Sequence, residues 1–139
     1  MIVIRPAELT DSDALFSLAG AFATSFPVER AAFESSLSAL LQSPETFLAV
    51  ASDGNRVVGY VLGFDHPTFY ANGRVAWVEE IMVSEDVRRR GVGRQLMVGF
   101  EQWAKNRNSK LIALATRRAA PFYQSIGYDE SAAYFRKLL

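Results

Sequence analysis

Two rhythms of apolar residues divide this chain. Alternating or unbroken apolar runs at Ile2–Arg5, Thr46–Ala51 (TFLAVA), Val57–Phe64 (VVGYVLGF), Arg74–Val83 and Leu111–Ala115 (LIALA) predict β-strands, and Ala132–Leu138 predicts a last one. LIALA is short and apolar throughout, as expected of a strand covered on both faces. Spacings of three and four predict helices. One carries Leu15, Phe16, Leu18, Ala19 and Phe22, and a second, from about Val28, turns Ala32, Phe33, Leu37, Leu40 and Leu41 inward. A third starts at Gly91 and aligns Val92, Leu96, Met97, Phe100, Trp103 and Ala104, and a short fourth runs from Pro121 to Ser125.

The breaks fall where these elements need them. Pro6 ends the first strand, Thr10-x-x-Asp13 reads as a capping box, and Ser43-Pro44 closes the second helix. Asp53-Gly54-Asn55 is a hairpin turn, because Gly and Asn tolerate positive φ. Gly59 and Gly63 read as a bulge, a close backbone approach or plain strand glycines. Asp65–Gly73 reads as a loop, and Gly127 as the residue that stops the fourth helix. The order β-α-α-β-β-β-α-β-α-β describes a mixed α/β sheet with helices packed on it, in one domain spanning residues 1–139.

Composition narrows the chemistry. The 139 residues are half apolar, enough for one core without staples. There is no cysteine, which excludes disulfides, thiolate metal sites and a thiol nucleophile, and the single histidine, His66, leaves no histidine-based zinc site, so no metal is expected. The start MIVIRPAEL lacks a basic leader before a long apolar run, and no run approaches the roughly 20 residues of a membrane span. The expectation is a cytoplasmic protein with no membrane association. Net charge is zero but unevenly spread: residues 1–86 carry 4 basic and 12 acidic groups, and residues 87–139 carry 11 basic and 3 acidic ones. This reads either as pairing between halves, or as a basic half for an anionic cofactor and an acidic half for a cationic acceptor. The overall balance argues against a nucleic-acid partner.

The stretch VAWVEEIMVSEDVRRRGVGRQLM, Val75–Met97, concentrates candidate chemistry. A strand carries adjacent carboxylates, Glu79 and Glu80. Consecutive strand residues face opposite sides, so in a covered sheet one of them pairs or lies near an edge while the other lines a pocket. Next come Arg88, Arg89, Arg90, Gly91, Val92, Gly93 and Arg94, where a helix starts. Amides at a helix N-terminus are unpaired and can cradle phosphate oxygens, glycine lets the backbone approach, and arginines add charge-assisted bonds. There is no Gly-Lys-Ser/Thr and no G-x-G-x-x-G, so neither the nucleotide P-loop nor the dinucleotide fingerprint applies.

In context, VEEIMV-x4-RRRGVGRQLM resembles the Q/R-x-x-G-x-G/A cofactor motif of the GNAT superfamily of acyl-CoA-dependent N-acetyltransferases. AAPFYQSIGY resembles that family's F-Y-x-x-x-G-F/Y segment, and the element order matches over nearly the whole chain. The resemblance implies a GNAT-like fold, a central mixed sheet of six or seven strands flanked by about four helices. It implies acetyl-CoA as co-substrate and no metal. Its pantetheine arm would lie between the splayed strands Val75–Val83 and Leu111–Ala115, on the backbones of Ile81, Met82 and Val83. Its pyrophosphate would lie on the amides from Arg89 to Arg94, with Arg88, Arg89, Arg90 or Arg94 beside it. Tyr123 would be the general acid for the departing sulfur. Where many members have asparagine, seven residues before this tyrosine, the chain has Thr116.

The expected reaction is direct transfer of an acetyl group to a primary amine, with a small cationic metabolite as acceptor. Glu79 first, or Glu80, takes the amine proton directly or through water; His66 is the other candidate base. A backbone amide near Met82 holds the thioester oxygen, and an aromatic, acidic pocket near Phe26, Phe69 and Tyr70 holds the acceptor. The alternatives are an acetyltransferase acting on a protein lysine or N-terminus, and a non-catalytic acyl-CoA sensor. A homodimer is compatible with the resemblance.

Overall fold

Three strands in succession, each alternating or wholly apolar, fold back on one another and build the centre of the molecule. In the computed structural model, which describes all 139 residues, β1 (Ile2–Pro6), β2 (Thr46–Asp53), β3 (Arg56–Thr68), β4 (Gly73–Val83) and β5 (Ile112–Leu114) form one sheet in the order β1-β2-β3-β4-β5. All neighbours are antiparallel except β4 and β5, which are parallel. Helices α1 (Ser12–Phe22) and α2 (Arg30–Gln42) cover one face. Helix α3 (Val92–Asn106) and the short α4 (Ala120–Ser125) cover the other. The α3 stripe Val92, Leu96, Met97 and Phe100 packs on Ala49, Ala51, Val58, Val61, Ala76 and Val78; Leu15, Leu18 and Leu37 pack on Val50 and Tyr60.

Several boundaries differ from expectation for identifiable reasons. The sheet has five strands rather than six or seven, because residues 132–138 form no strand. The Asp65–Gly73 loop is instead a continuation of the β3–β4 hairpin, with Thr68 paired to Gly73 and a tight turn over 69–72. The capping box closes the 3₁₀ turn Leu9–Asp11 ahead of α1 and pairs Glu8 with Asp11 rather than Thr10 with Asp13. The Asp11 carboxylate accepts the Glu8 N–H at 2.8 Å and is gripped by both terminal nitrogens of Arg5, each at 2.8 Å.

The hairpin extension buries Asp65 completely. Arg74 donates to it at 2.8 Å, and Arg107, just past the end of α3, donates to both of its oxygens while lying over the Trp103 ring at 5.1 Å. One carboxylate thus ties the hairpin to the end of the helix. On the sheet side, Gly63 permits the contact with α3, since a Cβ there would sit 2.2 Å from Phe100 Cε1. Burial pushes the Asp65 carboxyl up, but the two guanidiniums outweigh it and hold it below the ordinary carboxylate range. Asp65→Asn should therefore lower the unfolding free energy by about 3 kcal/mol, the lower end for breaking a buried ion pair. Because the folded pKa is the lower one, this stabilisation is present above the unfolded value of about 3.9 and fades as pH falls below it. Urea unfolding at neutral and acid pH should show the Asp65→Asn deficit shrinking on acidification.

Candidate active site

The site grows from an unequal partnership around β4. On the β3 side its pairing runs to Val83, opposite Gly59. On the β5 side only Ala76, Trp77 and Val78 are paired, with Ile112, Ala113 and Leu114. From Glu79 to Val83 the backbone edge facing β5 has no partner strand. Such an edge offers N–H and C=O groups to any ligand with amides of its own.

At the point of parting, β4 carries a bulge. Leu62 faces Glu80 and Gly63 faces Val78, leaving Glu79 as the extra residue. The bulge corrects the expectation that Glu79 and Glu80 face opposite sides. Glu80 accepts the Tyr60 hydroxyl at 2.7 Å, and Tyr60 belongs to the α1–α2 layer. Glu79 accepts the indole N–H of Trp77, two residues back, at 2.9 Å. Both carboxylates therefore lie on the α1–α2 side, Glu79 exposed and Glu80 half-buried, and neither forms an ion pair. The Tyr60 hydroxyl is held protonated by burial and by the Glu80 charge. Beyond the bulge Ile81 and Val83 pack towards α3, and Met82 packs towards the opposite layer.

The chain leaves β4 through a single 3₁₀ turn and Arg88, whose Nε donates to Val83 O at 3.2 Å. Arg89 (φ 69°) and Gly91 (φ 77°) take left-handed conformations, and Gly91 is the N-cap of α3. No side chain caps this helix, and its first closing amide is that of Gln95, bonded to Gly91 O. The amides of Val92, Gly93 and Arg94 are consequently free at the positive end of a 15-residue helix. Gly93 faces the α4 side, where a Cβ would lie 3.4 Å from Phe122 Cζ and 3.9 Å from Val83 Cγ2. The arginines are not equivalent. Arg90 approaches Asp53 at 3.6 Å, Arg94 lines a shallow recess with Ile4 and Val98, and Arg89 is exposed without an ion-pair partner.

Tyr123 stands on α4, in the layer opposite the two carboxylates. Its ring is buried between Phe122 (centroids 5.0 Å apart) and Tyr128 (6.0 Å). The two buried polar atoms without a partner are Arg74 Nε and Ser109 Oγ. The Tyr123 hydroxyl is not one of them and makes no hydrogen bond with the protein, so it remains open to an incoming group. Burial raises its pKa, keeping it a proton donor at neutral pH. Carboxylates on one side, a phenol on the other and a gap in the sheet between them suit acid–base chemistry on a molecule threaded through the gap.

A family model described as the acetyltransferase (GNAT) family matches residues 13–128. The chain belongs to this family. The aminoalkylphosphonate N-acetyltransferase of Salmonella typhimurium is 27% identical over 141 residues, covering 98% of this chain and 90% of that one. Mouse N-alpha-acetyltransferase 80 is 39% identical over 52 residues, 37% of this chain, and the match spans only 17% of the mouse protein. Among solved structures, a transcriptional regulator from Bacillus halodurans superposes with a TM-score of 0.90 at 21% identity, over 100% of both chains. AAC(6')-Iy, bound to a bisubstrate analogue built on CoA, superposes with a TM-score of 0.82 at 20% identity, over 100% of this chain and 99% of that one.

Within this GNAT chain, Thr116 holds the turn into α4: its Oγ1 accepts the N–H of Ala119, the residue just before the helix, at 3.0 Å. Two expectations fail. Phe69 and Tyr70 are exposed at the tip of the hairpin, and Gly73 beside them is six residues from Glu79, roughly 20 Å of strand, so they do not line a pocket with it. His66, paired with Val75 and exposed, stands towards the same tip and is no base for this site. Sequence reasoning missed Tyr60 and Trp77, the partners of the two carboxylates; alternation along β4 already puts Trp77 and Glu79 on one face, but only the bulge turns Glu80 to that face and to Tyr60. The left-handed N-cap leads to a specific outcome. A Cβ at Gly91 meets nothing within 4 Å, so only its φ resists substitution. Gly91→Ala should cost about 1 kcal/mol in denaturant unfolding, and Gly91→Asn less, because asparagine tolerates positive φ.

Proposed function

We propose that this GNAT protein transfers the acetyl group of acetyl-CoA to a primary amine of a small cationic acceptor. The observation that carries the reading is the unpaired edge Glu79–Val83, which runs directly into the uncapped N-terminus of α3. The amides of Val92, Gly93 and Arg94 would take the pyrophosphate, with Arg89 the arginine free to turn inward and Arg88 bracing the loop against β4. The backbones of Ile81, Met82 and Val83 would hold the pantetheine arm as though it were a sheet neighbour. Bound there, acetyl-CoA supplies an activated thioester carbonyl.

The protein groups divide the proton work across the sheet. Glu79, exposed and held by Trp77, takes a proton from the ammonium directly or through water. Glu80, tied to Tyr60, keeps a second negative charge beside the approaching cation. As the amine nitrogen bonds to the carbonyl carbon, a β4 amide near Met82 donates to the carbonyl oxygen. The carbon–sulfur bond breaks towards the α4 side, where Tyr123 gives its proton to the sulfur. The opposed placement of Glu79 and Tyr123 suits attack from one face and departure towards the other. The Salmonella relative acts on an aminoalkylphosphonate, which supports a small amine as acceptor. A peptide N-terminus is the second reading, favoured by the exposure of Glu79 and by the 52-residue match to an N-alpha-acetyltransferase.

Thiol release from acetyl-CoA, measured against parallel panels of small amines and peptides, separates the two readings; release with small amines alone supports the first. Tyr123→Phe should lower kcat roughly 100-fold, within the range for general acid catalysis, and leave CoA affinity unchanged by calorimetry. Equal kcat values would reduce Tyr123 to a packing residue. Because burial raises the Tyr123 pKa, its alkaline limb in the pH–kcat profile should lie above the ordinary phenol value of about 10, and Tyr123→Phe should remove it. Gly91→Asp places a carboxylate where phosphate would sit and should abolish CoA binding; unchanged affinity would refute the loop assignment.

A further inference from the structure

With the pyrophosphate on the loop that enters α3, as the functional reading has it, we propose that the turn between β2 and β3 braces that loop. Two ion pairs, Arg56–Asp86 and Asp53–Arg90, form the brace, and their four residues position the loop for CoA. Little else holds it. Ser84 is still tied to the sheet, its N–H donating to Val58 O at 2.7 Å, and Val87 is buried. From Arg88 to Gly91 the chain is exposed, and the amides of Arg89, Arg90 and Gly91 make no backbone hydrogen bond. Arg89 and Gly91 both have positive φ, a conformation unfavourable for arginine. Such a segment keeps one shape only when its surroundings impose it. The bond from Arg88 Nε to Val83 O is one tie, and the brace supplies the others.

The register of the sheet brings the turn to the loop. Gly59 pairs with Val83, and the bond from Ser84 to Val58 carries the same register onward. Two residues further it sets Asp86 level with Arg56, as cross-strand partners stand. Both terminal nitrogens of Arg56 donate to Asp86, one to each oxygen, at 2.7 and 2.9 Å. Across its own hairpin Arg56 is paired with Asp53. Asp53 Oδ2 lies 3.6 Å from Arg90, while Oδ1 takes the Met1 amino group at 3.3 Å. Charges therefore alternate from Arg90 through Asp53 and Arg56 to Asp86. The Arg56 guanidinium holds the Asp86 carboxyl below the ordinary carboxylate range, and the Arg90 charge adds to this.

The loop is thus gripped on both sides of Arg88 and Arg89, at Asp86 before them and at Arg90 after them. Arg90, expected beside the pyrophosphate, is turned to Asp53, and Arg89 is left unpaired. A loop held in this way meets a phosphate without first having to be ordered, which favours binding. The two carboxylates make the claim discriminating. As plain charges near an anion they would repel it; as parts of a brace they strengthen its binding.

Calorimetric titration of CoA into the full chain and its variants tests this. Circular dichroism should match the parent throughout, because pairs this exposed contribute little to folding. Arg56→Ala, Asp86→Ala and the double variant should each weaken CoA binding by about fivefold, the upper range for an exposed pair. The double variant should cost no more than either single one, because each already removes the same interaction. Asp53→Asn should also weaken binding. Plain charges give the opposite pattern: Asp86→Ala and Asp53→Asn tighten binding, Arg56→Ala weakens it, and the double variant cancels. Parental or tighter binding by Asp86→Ala overturns the brace, as does a double variant that loses the sum of both single effects. With CoA bound by the parent and not by Gly91→Asp, those results overturn the brace alone; a parent that binds no CoA overturns the pyrophosphate site with it.

Discussion

A strand inside a sheet must satisfy its amides and carbonyls on both sides, and beyond Val78 β4 does so on one side only. Leaving such an edge open is costly, and the surroundings of β4 are arranged so that it stays open without collapsing. β3 holds the strand from behind as far as Val83. The Arg88 guanidinium bonds the last carbonyl, and the Asp65–Arg74–Arg107 cluster clamps the opposite end of the hairpin to α3. The Asp65 clamp thus sits beside the stretch where β4 and β5 still touch, and the gap beyond it is backed by β3 and by Arg88.

The same parting organises the charges. The helix that follows β4 starts with a left-handed glycine and no side-chain cap, which leaves its positive end bare at the mouth of the gap. The bulge at Glu79 then turns two carboxylates to one face, while α4 brings Tyr123 to the other. An uncapped helix start, a pair of carboxylates and a phenol are thus gathered around the end of one strand. The uneven charge along the sequence is only partly a matter of pairing between halves. Arg90–Asp53 and Arg107–Asp65 do cross between them, but Arg89, Glu79 and Glu80 stay outside every ion pair.

The sequence made much of this legible, and its failures have physical causes. LIALA betrayed a strand, though a half-buried one at the sheet's edge rather than one covered on both faces, and Arg88–Arg94 betrayed an uncapped helix start, because both depend on local residue type. The facing of Glu79 and Glu80 was misread because a bulge is set by the register between strands, which alternation within one strand does not reveal. Asp65 was placed in a loop because a charged residue there suggests solvent; its two arginine partners lie 9 and 42 residues away. Ala132–Leu138 has the composition of a strand, yet it pairs with no edge and runs to the α1–α2 connection, where Arg136 donates to Ser25. Tyr60 and Trp77 escaped notice because each matters only through the carboxylate it holds.

The open edge of β4 is the proposed binding surface. Amide hydrogen exchange, compared with and without saturating CoA, reads that edge residue by residue. Strong added protection confined to Ile81, Val83 and Val92–Arg94, with the amides of β1 and β2 unchanged, is the predicted result. CoA binding that leaves those five amides exchanging at their free rates would contradict it.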